Sequence, residues 1–140
     1  MNTGYTAIRK RNKGLLWIIV YGIIIIVGYS IPKNVIDKIS DIKFFPSFIS
    51  DPLIHLITFG FFTLLLGWIF FRRNTGYFPY IKLLAYSIGF GFIIELFQLI
   101  LPFRAFEFID FIWDVVGILI AIGIIFVFDV ITKNRVVKTL

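Results

Sequence analysis

The sequence predicts an all-α integral membrane protein, a small bundle of four transmembrane helices with both termini in the cytoplasm. Three observations lead there. Of the 140 residues 59% are hydrophobic and 18 are Phe, and the mean hydropathy is +0.96, far from the roughly half-apolar make-up of a soluble domain. Four long apolar runs are separated by short polar turns. The basic residues crowd onto one side of the resulting topology, as they do on the cytoplasmic flanks of membrane proteins. The net charge of +6 therefore speaks for membrane flanks, and no nucleic-acid partner is expected. The absence of Cys removes disulfides, thiolate nucleophiles and Cys-ligated metals. The length suggests a single domain.

Residues 1–14 are polar and basic, with Arg9, Lys10, Arg11 and Lys13. The first apolar run, 15–31, continues into a Ser-Ile-Pro-Lys stretch without a small-residue cleavage site, so it reads as an uncleaved signal-anchor helix. Residues 32–50 form a polar loop with Lys33, Lys38 and Lys43, and its Pro46 and aromatics suit the membrane interface. Ser50-Asp51-Pro52 opens the second span, 52–71, because Asp caps a helix N-terminus and Pro fits its first turn. Arg72-Arg73-Asn74-Thr75-Gly76 is a basic turn. The third span, 80–101, is stopped by Pro102. The fourth is 108–131, and a basic tail, 132–140, follows.

With the N-terminus inside, ten of the 14 Lys and Arg residues lie on the cytoplasmic side. Only Lys33, Lys38, Lys43 and Arg104 lie outside. Reporter fusions after Gly76 and Leu140 are expected to behave as cytoplasmic, and one near Ser40 as external. An external Leu140 would reverse the orientation.

This topology brings the start of the second span, the end of the third and the start of the fourth to the outer side. Those three ends carry the chain's costly polar groups. At 100° per residue, Asp51, His55 and Thr58 share one helical face. Ser87, Gly91, Glu95 and Gln98 share a face of the third span, and Asp110, Asp114, Gly117 and Ala121 share one of the fourth. Small residues let helices approach closely in lipid, so the faces are expected to meet in a polar pocket just under the outer headgroups. His55, Glu95 and Asp114 should cluster within hydrogen-bond or single-water distance. Intramembrane acids are costly and mark functional sites. Close carboxylates in a low dielectric cannot all stay ionised. A proton is shared, His55 is cationic, or a cation binds. His55, Glu95 and Asp114 are the candidate metal ligands, as oxygen donors with one imidazole suit Mg²⁺, Mn²⁺ or Zn²⁺, although the spacing matches no specific metal motif. Simpler roles exist for each residue: Asp51 as a cap, Asp110 as a partner of the helix dipole, His55 as a packing residue, Gln98 as interhelical glue and Arg104 as a lipid-phosphate contact. Glu107 is expected to be solvated in the turn, and Asp129 to need no site.

The stretch Glu95 to Gly117, ELFQLILPFRAFEFIDFIWDVVG, resembles the signature of the VanZ-like membrane protein family. That family shows E-x-x-Q-x-x-x-P-x-R, then an acid, then D-x-x-x-N-x-x-G, and its earlier D-K-x-x-H motif is similar to Asp51-Pro52-Leu53-Ile54-His55. The likeness covers about half the chain, and it departs at two positions: Pro52 stands for the family's Lys and Asp114 for its Asn. The resemblance implies a bacterial, multi-pass protein of the cytoplasmic (inner) membrane. The founding member is associated with low-level resistance to teicoplanin, a glycopeptide that binds cell-wall precursors.

The leading expectation is a protein that binds a headgroup-bearing or lipid-linked envelope ligand at the outer leaflet. Asp51, His55, Glu95, Gln98, Arg104, Asp110 and Asp114 would line the pocket, with Arg104 on an anionic group. The rival is a membrane-embedded hydrolase or transferase acting on such a lipid. Glu95 or His55 would be its general base, with or without metal assistance. A structural, partner-binding module is a third reading. A proton-coupled carrier is a fourth, disfavoured by the lack of inverted repeats.

Overall fold

The computed structural model describes residues 3–32, 35, 51–70 and 78–138, with side chains described over 14–32, 35, 52–69 and 80–132. The polar loop around Pro46 and the Arg72–Gly76 turn lie outside the described residues. All described regular structure is helical: α1 (Thr3–Tyr29), α2 (Asp51–Phe70), α3 (Phe78–Ile100) and α4 (Phe108–Lys138).

Helix α1 begins well before the expected position 15. Straight-chain Arg and Lys are good helix formers, so the basic segment continues the apolar helix. The end comes at Tyr29, two residues earlier than expected. The Ser30 hydroxyl donates to the Ile26 carbonyl (2.6 Å), and Pro32 disfavours helical backbone at the residue before it. Pro52 sits at the second residue of α2, where its missing N–H costs nothing. Helix α3 ends two residues before Pro102. The turn is closed by the Leu101 N–H on the Gln98 carbonyl (3.1 Å) and the Arg104 N–H on the Leu101 carbonyl (3.2 Å). The Glu107 carbonyl then accepts the Asp110 N–H (2.9 Å) and starts α4.

Among the described residues three helices are long and apolar enough to cross a membrane, with spans at Pro52–Ile69, Tyr80–Ile100 and Phe108–Thr132. Within α1 the apolar stretch found among the described residues is Gly14–Tyr29, which continues the basic N-terminal part of the same helix. The most apolar span, in α4, is also the least buried, at 17% against 28% and 33% for the other two. A water-soluble protein would bury that helix first. Here Ile100, Ile93 and Phe128 are widely exposed, the surface expected where lipid is the solvent.

Helix α2 is the centre of the bundle and packs most extensively on α4, then on α1 and α3. Glycines set the α2–α4 approach. A Cβ on Gly60 would lie 3.3 Å from the Gly117 carbonyl oxygen, and one on Gly117 would run into the Leu56 backbone carbonyl. The core consists of Ile25, Tyr29, Phe59, Phe62, Ile94 and Ile118. On one flank Tyr21 meets Phe61 edge-on at 5.1 Å and donates to the Thr58 carbonyl (3.3 Å). Far along α4, Asp129 accepts from Tyr80 (3.2 Å) and takes no part in the polar cluster.

Candidate functional site

The polar faces read from the sequence meet. His55, Ser87, Glu95, Gln98, Asp110 and Asp114 are all buried, and Glu95 and Asp114 have no exposed surface. His55 lies on the second turn of α2, Asp110 and Asp114 on the first two turns of α4, and Glu95 and Gln98 on the last two turns of α3. These residues therefore reach the same end of the bundle from three different helices. The tight Gly60–Gly117 crossing holds α2 and α4 close enough for their side chains to touch. On α3, Gly91 leaves room for the Asp114 carboxylate, since a Cβ there would lie 3.4 Å from Asp114 Oδ2.

His55 is the hub. Its Nδ1 is 2.8 Å from Asp114 Oδ1, a hydrogen bond, and 3.9 Å from Glu95 Oε1. Its Nε2 faces Asp110 Oδ2 at 3.6 Å. One imidazole thus stands among three carboxylates, with two on its Nδ1 side and one on its Nε2 side. A ring nitrogen of His55 and one oxygen each from Glu95 and Asp114 lie within 4.8 Å of one another. Burial leaves several polar atoms stranded. Both Glu95 oxygens and Asp114 Oδ2 have no hydrogen-bond partner among the described residues, and neither do the Ser87 and Tyr29 hydroxyls. The Glu107 backbone approaches Glu95, and the Thr58 side chain approaches Tyr29, without hydrogen-bond geometry. Unpaired buried polar groups typically cost about 1–3 kcal/mol each, so the arrangement carries a demand for a proton, water or ligand.

Arg104 does not enter the cluster. Its Nε and Nη2 donate to the Ile31 carbonyl at 3.1 and 2.7 Å, which ties the α3–α4 turn to the end of α1. The guanidinium remains half-exposed with further N–H donors to offer. The Asp51 side chain lies outside the described residues. Glu107, expected to be solvated, is half-buried, because its carbonyl starts α4 and draws the residue against the bundle. His55, Glu95, Asp110 and Asp114 are thus brought together, and all four are buried.

Tyr29 was not legible as a site residue. Its ring packs edge-on against His55, with centroids 4.6 Å apart, so α1 supplies one wall of the cluster. The only hint in sequence was an aromatic polar residue at the end of an apolar run.

A helical bundle whose one end buries an imidazole among three carboxylates, and whose surface is apolar over three spanning helices, defines a polytopic membrane protein with an intramembrane ionisable centre. The chain belongs to the VanZ/LLP1 family, whose sequence model matches residues 10–129. That match takes in the greater part of α1 as well as both motif regions. No curated protein and no solved structure matches the chain significantly.

Proposed function

We propose that this protein binds a headgroup-bearing lipid of the cell envelope, such as a lipid-linked precursor, at the outer leaflet of the cytoplasmic membrane. The observation that carries the reading is the gathering of His55, Glu95, Asp110 and Asp114 at the end of the bundle that also presents Arg104. Charged groups are kept inside a membrane at high cost and mark ligand or ion sites. Arg104 is the group positioned to meet an anionic headgroup, because it is half-exposed and only part of its guanidinium is engaged by Ile31. An apolar groove of about 470 Å³ between α2 and α3, lined by residues including Phe62, Leu66, Tyr86 and Ile93, offers room for an acyl chain on the same molecule. Sequestering a cell-wall precursor is also the simplest link to glycopeptide susceptibility.

The rival reading is a hydrolase or transferase acting on the same lipid, and the imidazole–carboxylate cluster favours it as a source of a general base. Glu95 and Asp114 are fully buried, so acid–base chemistry on a headgroup would require the bundle to open, whereas Arg104 meets an anionic headgroup without such opening. Native mass spectrometry of the detergent-purified protein is expected to show a bound anionic lipid. Arg104→Ala should lose it. Arg104→Lys should retain only part, because a point charge replaces a planar fork. Recovery of the lipid with its headgroup removed would favour the enzyme, and equal lipid retention by both variants would remove Arg104 from the site.

A further inference from the structure

We propose that His55, Glu95 and Asp114 form a binding site for one divalent transition-metal ion, Zn²⁺ foremost and Mn²⁺ next, with Asp110 orienting the histidine. This inference does not depend on which lipid, if any, the protein holds.

Four features converge on it. The first is donor geometry. A tetrahedral ion with bonds of roughly 2.0–2.1 Å keeps its ligand atoms roughly 3.4 Å apart. The two separations from His55 Nδ1, 2.8 Å to Asp114 and 3.9 Å to Glu95, bracket that value, and the three donor atoms all lie within 4.8 Å of one another. The second is the set of stranded acceptors. Both oxygens of Glu95 and one of Asp114 are buried without hydrogen-bond partners among the described residues, and the side chains carrying them have no exposed surface. Such oxygens are what a metal ion satisfies, and hydrocarbon is the environment in which leaving them unmet costs most.

The third feature lies on the far side of the ring. A metal-bound histidine generally turns its other N–H to a carboxylate, which fixes the ring and raises its basicity. Asp110 Oδ2 stands 3.6 Å from His55 Nε2, on the correct side for that role. The fourth is charge. Two carboxylate ligands neutralise a divalent ion, and a protonated imidazole is no longer required to balance them. An ion bound here takes the place of the His55–Asp114 hydrogen bond, and any proton held there leaves to solvent, so uptake of metal should release acid. The family's Asn at position 114, by the resemblance above, would supply a weaker neutral donor, and the Asp of this chain makes the site more electronegative.

The chain contains a single His, which makes the test unambiguous if the protein is purified through a histidine-free tag. Full-length protein in detergent is stripped with chelator, dialysed against Zn²⁺ or Mn²⁺, and its metal content measured. One equivalent of Zn²⁺ or Mn²⁺ per chain is expected. Glu95→Gln and Asp114→Asn should lose it, and Asp110→Asn should weaken affinity by roughly 10–100-fold. In chelator the Asp114→Asn variant should melt close to the parent, because an amide retains a hydrogen bond to His55, which separates loss of metal from loss of fold. If either variant proves unfolded, electron-nuclear coupling between bound Mn²⁺ and a single imidazole nitrogen in the parent protein is the second readout. No retained metal, equal retention by all variants, or a bound ion without imidazole coupling would each overturn the site. Bound lipid is counted separately in the same preparation, so loss of the lipid reading and loss of the metal site remain distinguishable.

Discussion

Replacing Gly117 by alanine is expected to be among the most damaging single changes in this protein. An added Cβ there runs into the Leu56 carbonyl oxygen and comes within 2.9 Å of that residue's carbonyl carbon. The obstacle is backbone, not the flexible tip of a side chain, so α2 and α4 must separate. Overpacking of this kind costs roughly 1–3 kcal/mol and occasionally more, and a helix–helix backbone clash belongs at or above the top of that range. The consequence reaches the site. Leu56 is next to His55, and Gly117 lies one turn beyond Asp114, so parting the helices lengthens the 2.8 Å His55–Asp114 contact. Thermal unfolding in detergent should show a large loss for Gly117→Ala, and metal or lipid retention should fall with it. By contrast, a Cβ at Gly67 meets mainly the flexible tip of Ile125, and Gly67→Ala should be much milder. Equal stability of the two variants would contradict the close crossing.

The second large effect is expected at His55. It is buried and is the basic group that faces Asp114, Glu95 and Asp110. His55→Phe keeps an aromatic ring against Tyr29 and Phe59 but leaves three buried acids facing one another. Breaking a buried charged network by removing one partner costs about 3–5 kcal/mol. The loss should shrink when Asp114→Asn is introduced as well, since one acid is then gone. Coupling between residues in direct contact runs to about 0.5–3 kcal/mol. Denaturation of the four proteins of this double-mutant cycle, with chelator present throughout, gives the coupling directly. A His55→Phe cost that is small and additive with Asp114→Asn would show that the cluster is a set of independent buried groups.

Much of this molecule was written in its periodicities. The membrane class followed from apolar composition, because a bundle in lipid needs no polar exterior. The helix stop at Pro102 and the start at Pro52 followed from backbone chemistry that is local to those residues. The polar faces were legible because a 100° helical step places Ser87, Gly91, Glu95 and Gln98 together whatever they pack against. The same rule groups Asp110, Asp114, Gly117 and Ala121. Contact between His55, Glu95 and Asp114 could be anticipated for a physical reason: in hydrocarbon such groups have few alternatives to one another.

Other features depended on how the helices cross. Sequence gave no sign that α1 contributes Tyr29 to the His55 environment, since pairing between distant helices has no periodic signature. Arg104 reads as a free cation in a turn; only the folded chain directs two of its donors to the Ile31 carbonyl. Whether the polar faces line an open cleft or a buried cluster is set by the approach distance of α2 and α4. That distance rests on the fit of Gly117 against the Leu56 backbone, a contact between residues 61 positions apart. What the sequence determined, then, was which residues would be buried together, because burial pattern is a property of each helix alone. What only the tertiary structure decided was their mutual geometry, with His55 between Asp114 and Asp110 and Glu95 Oε1 3.9 Å from the ring, because side-chain distances are fixed by packing between helices.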